Sequence, residues 1–307
     1  MKQRGVALIM VLLVVALATS LAVTMMTQQQ LDIRRTTHLL NGEQAYLYAL
    51  GAESWAKQIL WHDEKNVDHF KELWANPLPP LPILGGTLQG KIEDVQSQFN
   101  LNNLVQLEGE ENQAQVLRDR AVFGRLLVLL DLPPSIVQHI VDWIDADTIP
   151  HLPEGAEDNA YLAKTPAYRT SNTLLSSPSE LALFLDTDNY QKLLPYICTL
   201  PTRTKINVNT TSAFLLRALV DGLSLQETEM IVNHRDEKPF DTLREFLVHP
   251  ALAGLKVEAD SLTVSSEYFI LSVQVNIDKT QITLNSLLHR TPRYMEVVMR
   301  SQGKGLR

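Results

Sequence analysis

The sequence has a single cysteine, Cys198, so no intrachain disulfide can form and the fold must be held by its core. Within Leu194-Pro-Tyr-Ile-Cys-Thr-Leu200 that thiol reads as a small buried apolar residue with no catalytic role. No proline precedes Pro77, so nothing forbids one uninterrupted helix through the N-terminal part. Positive charge is in deficit: the formal net charge is −8, which gives no electrostatic footprint for nucleic acid. A phosphate loop, a Ser/His/Asp constellation and a Cys/His metal set are also missing, which removes the usual marks of nucleotide, acyl-transfer and zinc chemistry. The 307 residues, less an anchor, leave room for one large or two modest domains.

What is present begins at once. Lys2 and Arg4 form a short cationic lead that should stay cytoplasmic. From Val6 to Val23 every residue is apolar except Thr19 and Ser20. As a helix that run reaches about 27 Å, and Thr24 to Thr27 complete a bilayer span of about 30 Å. Three processing schemes fit. A secretory signal peptide would be cut near Ala16-Leu17-Ala18, a plain anchor would not be cut, and a prepilin-like leader would be cut after Gly5 so that Val6 starts the mature chain.

The residues that follow favour the third scheme. Ala45, Ala49, Ala52, Ala56 and Ile59 fall at spacings of four, three, four and three, one stripe of a helix that continues from the apolar run. A single rod over residues 6–60 is expected, about 80 Å long. Gly42 and Gly51 each cost it roughly 1 kcal/mol against Ala.

Residues 61 to 90 are rich in Pro and Gly and lead to a strand from Gly90 that carries Ile92 and Val95. From about 112 to 200 the period is helical. Val116–Leu130 is stopped by Pro133-Pro134, and Ser135 is expected to cap a helix over Ile136–Ile144. Short helices follow at 179–184 and 190–194, then at 212–219, 225–234 and 242–248. From residue 256 the period becomes two. Phe269, Leu271, Val273, Val275 and Ile277 share one face, Asp278-Lys279 turns, and strands at 280–287 and 293–299 complete an antiparallel group. The class is α+β, with a helical stretch inserted between one early strand and three late ones.

The block after Ile206-Asn-Val-Asn-Thr210 resembles a helix-hairpin-helix pair. Its hairpin, Asp221-Gly222-Leu-Ser-Leu225, has one Gly and an adjacent carboxylate, with only Arg217 and Arg235 as nearby cations, so a structural role is the better reading than DNA binding.

The chemically unusual segment runs from Asp142 to Asp158, with six carboxylates in seventeen residues and no Lys or Arg. Such crowding repels unless a cation sits among the charges, and calcium takes six to eight oxygens of this kind. The EF-hand order fails, because counting from Asp145 puts Ile149, Pro150 and Ala156 at the fifth, sixth and twelfth places. Alternatives at this point are a solvated acidic loop and a carboxylate pair of a membrane-tethered periplasmic hydrolase. His151 reads as a surface residue, and Asp142, beside Trp143 at a helix end, as a weaker ligand candidate.

The leader, rod and head resemble the pilins and pseudopilins. In that family the fifth mature residue is usually Glu, which neutralises the N-terminal amine of a neighbouring subunit; counted from Val6, that place holds Met10. Asp-Trp-Ile-Asp-Ala-Asp147, then Pro, Gly-Ala-Glu-Asp158 and Tyr161, with Leu194-Pro-Tyr and Ile206-Asn-Val-Asn-Thr, is similar to the type II secretion system minor pseudopilin K family.

The resemblance implies a prepilin leader at 1–5, an anchoring helix at 6–60, a pilin-like α/β domain at 61–108 and 256–307, and an inserted all-α domain at 109–255. It implies calcium held by Asp145, Asp147, Glu157 and Asp158, cleavage by prepilin peptidase between Gly5 and Val6, and methylation of Val6. It further implies an inner-membrane anchor through residues 6–27 with a periplasmic head. The partners implied are minor pseudopilins I and J and the major pseudopilin, and the role is a non-enzymatic one of capping and initiating a filament at its tip for export of folded proteins.

Overall fold

The computed structural model describes residues 4–77, 79–107 and 113–303. Lys2, and the expected domain boundary between residues 108 and 109, lie outside them.

The apolar run and the alanine stripe form one helix, α1 (Arg4–His62), of 59 residues. Residues 6–40 are exposed on every face; within them His38 Nδ1 lies 3.3 Å from Thr280 Oγ1, and burial begins after residue 40. Within the exposed stretch the hydroxyls of Thr19, Thr24 and Thr27 turn back to the carbonyls of Val15, Ser20 and Val23, each at 2.9 Å, so their polarity is satisfied inside the helix. This part of α1 is long and apolar enough to cross a membrane.

The packed part of α1 buries Ala45, Ala49, Ala56 and Leu60. Small residues let the helix lie close on a sheet. Glu53, on the same face, is also buried: Ser286 Oγ donates to it at 2.7 Å, and Arg300 donates through Nε at 2.7 Å and Nη2 at 2.9 Å.

That sheet has strands β1 (Leu81–Ile83), β2 (Gly86–Asp94), β7 (Tyr268–Ile277), β8 (Thr280–Arg290) and β9 (Met295–Gln302), in the order β1-β2-β7-β8-β9 and antiparallel throughout. The period-two set Phe269, Leu271, Val273, Val275 and Ile277 is buried together with Leu88, Ile92, Leu284 and Leu288 in the core beneath α1. Asp278 turns the β7–β8 hairpin with φ of 50°. At Gly86 a Cβ would stand 1.7 Å from the Asn276 carbonyl oxygen, so the first residue of β2 tolerates no side chain.

Between β2 and β7 the chain builds a second, larger core. Its helices are α2 (Gln113–Leu129), α3 (Ile136–Ile144), α4 (Asp158–Tyr161), α5 (Thr187–Leu193), α6 (Ala213–Leu219), α7 (Leu225–Glu237) and α8 (Leu243–Leu247). Two-residue strands pin its entry and exit. β3 (Phe99–Asn100) runs parallel to β4 (Ile197–Cys198), and β5 (Ile206–Asn207) parallel to β6 (Leu262–Thr263).

Local expectations change: the strand that was to carry Val95 ends at Asp94, and Val95 opens a 3-10 helix, Val95–Ser97. Ser135 makes no side-chain cap, because its own backbone is already helical; the Pro133 and Pro134 carbonyls accept from Ile136 and Val137 instead and start α3. The stretch at 179–184 is a 3-10 helix, Pro178–Leu183, closed by a Ser177–Glu180 capping box.

Candidate metal centre

The acidic segment follows α3, whose last turn is sealed by Asp145 N donating to Val141 O. Ile140, Val141, Trp143 and Ile144 are buried in the helical core, so the helix is held from behind while its end points into the loop. Trp143 packs edge-on against Tyr161 with centroids 5.3 Å apart. Asn172 N donates to Trp143 O at 3.0 Å. These contacts bring the two ends of the acidic loop together.

Carboxylate oxygens of Asp145, Asp147 and Glu157 converge within 4.8 Å of one another. Asp147 Oδ1 accepts from Ile149 N at 2.8 Å, which folds the loop back on itself. Glu157 is only 5% exposed, and its Oε2 accepts from Thr170 Oγ1 at 3.2 Å. Among the described residues, Asp145 Oδ1 and Glu157 Oε1 are buried with no hydrogen-bond partner. A buried carboxylate oxygen without donor or cation is costly.

Burial pushes the Asp145 carboxyl up to about 6, and the charges of Asp147 and Asp142 add to this against the pull of His151 and Arg120. Burial pushes Glu157 to about 7, opposed by the Thr170 bond and helped by Asp142, Asp145 and Asp147. Three hard oxygen donors, two with an orphaned lone pair, fit a hard divalent cation better than a nitrogen- or sulfur-seeking one.

Asp158 is not one of the three converging carboxylates. Its Oδ1 accepts from Thr170 N at 3.2 Å and Thr170 Oγ1 at 3.0 Å, and its Oδ2 lies 3.3 Å from Arg169. It is the first residue of α4, and Thr170 Oγ1 links it to Glu157. It supports the site from one side.

Three residues matter more than their types and spacing suggested. Asp142 is fully buried and accepts from His151 N at 3.1 Å, while His151 Nδ1 lies 2.6 Å from Asp142 Oδ1 and 3.5 Å from Asp145 Oδ2. His151 is therefore a clasp across the loop. Gly155 sits inside it: Gly155 N donates to His151 O at 2.7 Å, and a Cβ there would stand 2.2 Å from Asp142 Oδ2. The sequence signal was an Asp on the flank of an amphipathic helix with a His and a Gly at loop distance, too generic to separate from chance.

Gly5 and Val6 lie in the first turns of α1, and Met10 is exposed on it.

Comparison with known proteins gives these positions a context. The family described as type II secretion system (T2SS), protein K, matches residues 97–202 and again 206–265, which includes the acidic loop and the Ile206–Thr210 segment. A type II secretion system protein K from Pseudomonas aeruginosa is 36% identical over 99% of this chain and 94% of its own length. One from Klebsiella pneumoniae is 36% identical, covering 98% and 97% respectively. Among solved structures, a chain of the GspK-GspI-GspJ complex from the type 2 secretion system of enterotoxigenic Escherichia coli superposes with a TM-score of 0.77 at 27% identity, over 88% of this chain and 100% of that one. With near full-length identity above 30% and family matches over more than half its residues, the chain belongs to the type II secretion system protein K family.

Proposed function

We propose that the chain is a minor pseudopilin that caps and helps initiate the periplasmic pseudopilus of a type II secretion system, together with minor pseudopilins I and J. The observation that carries this is the stretch of α1 from residue 6 to 40, exposed all round, a rod with nothing in its own chain to bury against. Prepilin peptidase cuts after Gly5, Val6 becomes the methylated N-terminus, and residues 6–27 hold the protein in the inner membrane with its head in the periplasm. Met10 stands where a carboxylate would meet the amine of a subunit added above; a buried ammonium without a partner is strongly disfavoured, so the chain suits the last position of a filament, with the major pseudopilin below it.

The head is read as residues 61–108 and 256–307 around an insert at 109–255. Within the insert, α6 and α7, joined through Gly222 at φ 79°, form a structural helix-hairpin-helix; Asp221 at its turn repels phosphate. Calcium sits on Asp145, Asp147 and Glu157, supplying there the positive charge that lets three carboxylates share one loop. The role is architectural rather than enzymatic.

Mass spectrometry of the protein recovered from membranes tests this reading. An N-methylated Val6 terminus, with crosslinks from the head to pseudopilins I and J, is expected. Cleavage between Ala18 and Thr19, or an intact Met1, overturns it.

A further inference from the structure

The two cores meet at one end of the sheet, where Asp94 ends β2, Tyr268 begins β7 and Arg290 ends β8. Part of their contact is apolar, with Tyr268 and Leu287 of the sheet packed on Cys198 and Leu200, and part is a buried polar network. Asp94, 5% exposed, takes donors on both oxygens: Gln96 N to Oδ1 at 2.8 Å, and Thr210 Oγ1 at 2.5 Å, Ser266 Oγ at 2.7 Å and Asn207 Nδ2 at 3.2 Å to Oδ2. The Asn207 amide also lies 3.0 Å from Asp68 O and 3.0 Å from Ser266 Oγ. Asp68, fully buried, receives Ser266 N and both terminal nitrogens of Arg290.

The same short segment grips its own side. Asn209 exchanges two bonds with the Phe240 backbone, at 2.9 and 3.0 Å, and Arg235 donates to Val208 O at 2.8 Å. Residues 207–211 thus alternate their grip: Asn207, Thr210 and Thr211 reach the sheet side, Asn209 the helical side, with Thr211 Oγ1 donating to Ser97 O at 2.8 Å.

We infer that Asn207–Thr210 is a plug whose seat is the Asp94 carboxylate, and that this seating fixes the helical core on the sheet so that both cores move as one rigid body. Apolar surfaces slide over one another at small cost. Four directional bonds on one buried carboxylate do not, because a rotation that breaks them leaves the carboxylate buried without donors. The segment recognised in the sequence as a family motif thereby acquires a role that neither the anchor nor the metal loop gives it, and one that does not depend on the metal.

The test uses the full chain in a lipid nanodisc with spin labels at E229C on α7 and Q281C on β8, both exposed positions. The unmutated seat should give one narrow distance and one thermal transition. Asp94→Asn places an amide donor against existing donors; the distance distribution should at least double in width and unfolding should split into two steps. Thr210→Val removes one donor at constant volume and should broaden the distribution by a smaller factor. If Asp94→Asn fails to fold, Thr210→Val decides alone. Unchanged widths in the folded variants, even with a lowered melting temperature, overturn the proposal.

Discussion

Two of the places where the chain buries carboxylates treat them by opposite means. At the joint between the cores, Asp94 receives backbone, hydroxyl and amide donors, and Asp68 a bidentate guanidinium from Arg290. In the loop after α3, Asp145 and Glu157 each keep a buried oxygen with no partner. The functional group is the same and the burial of Asp94 and Glu157 is the same, at 5% exposed. Removing a carboxylate from water costs several kcal/mol unless donors or cations replace the water. The joint finds that replacement inside the chain for the oxygens of Asp94 and Asp68. The loop lacks it, and its chemistry is open to an ion.

Breaking each group should therefore have different signatures. The largest effect is expected at the joint: Arg290→Ala leaves Asp68 buried and unpaired and should cost about 3–5 kcal/mol in urea unfolding, with or without calcium. Next comes the loop, where the effect belongs to the ion. Chelation should lower stability by about 2.7 kcal/mol from a starting calcium level one hundred times Kd, and Glu157→Gln should abolish that difference in thermal melts. A joint and a loop that respond alike to chelator would erase the distinction.

Gly155→Ala sharpens it further. Its Cβ would press on Asp142 and His151 rather than on any converging ligand, so a loss of about 1–3 kcal/mol is expected together with weaker calcium binding, read by titration calorimetry. The smallest effect concerns Glu53, a third carboxylate satisfied within the chain. Burial raises its pKa, but the bonds from Arg300 and Ser286 and the charges of Arg300 and Lys57 outweigh burial and hold it below 4.5. A depressed pKa gives stability above the ordinary value that is lost as pH falls through the folded one. Hydrogen exchange in residues 41–62 should therefore quicken as the pH falls below 4.5, after correction for the intrinsic rate, and Arg300→Met should weaken the packing by roughly 1.5–3 kcal/mol at neutral pH.

The sheet and the rod were legible because each is a local pattern. Alternation from Phe269 to Ile277 and the alanine spacing on α1 are written in consecutive residues, and the structure places both sets in one core. The acidic loop was legible as composition, since crowded charge without Lys or Arg is itself a physical anomaly. Which way each carboxylate turns was not. Asp158 faces Thr170 because α4 starts at it, and no spacing rule distinguishes it from Glu157 one residue earlier. The joint was least legible of all. Asp94 meets Thr210 and Ser266 across 116 and 172 residues, a pairing that only the folded topology creates.

The bare length of α1 has one more consequence. Between residue 27, where the apolar span closes, and His38, whose Nδ1 meets Thr280 Oγ1 at 3.3 Å, lie ten exposed residues of helix, or about 15 Å. The folded body hangs on a stalk taller than the lipid headgroup layer. Because α1 is one unbroken helix into the packed core, the stalk carries the body at a fixed angle to the apolar span.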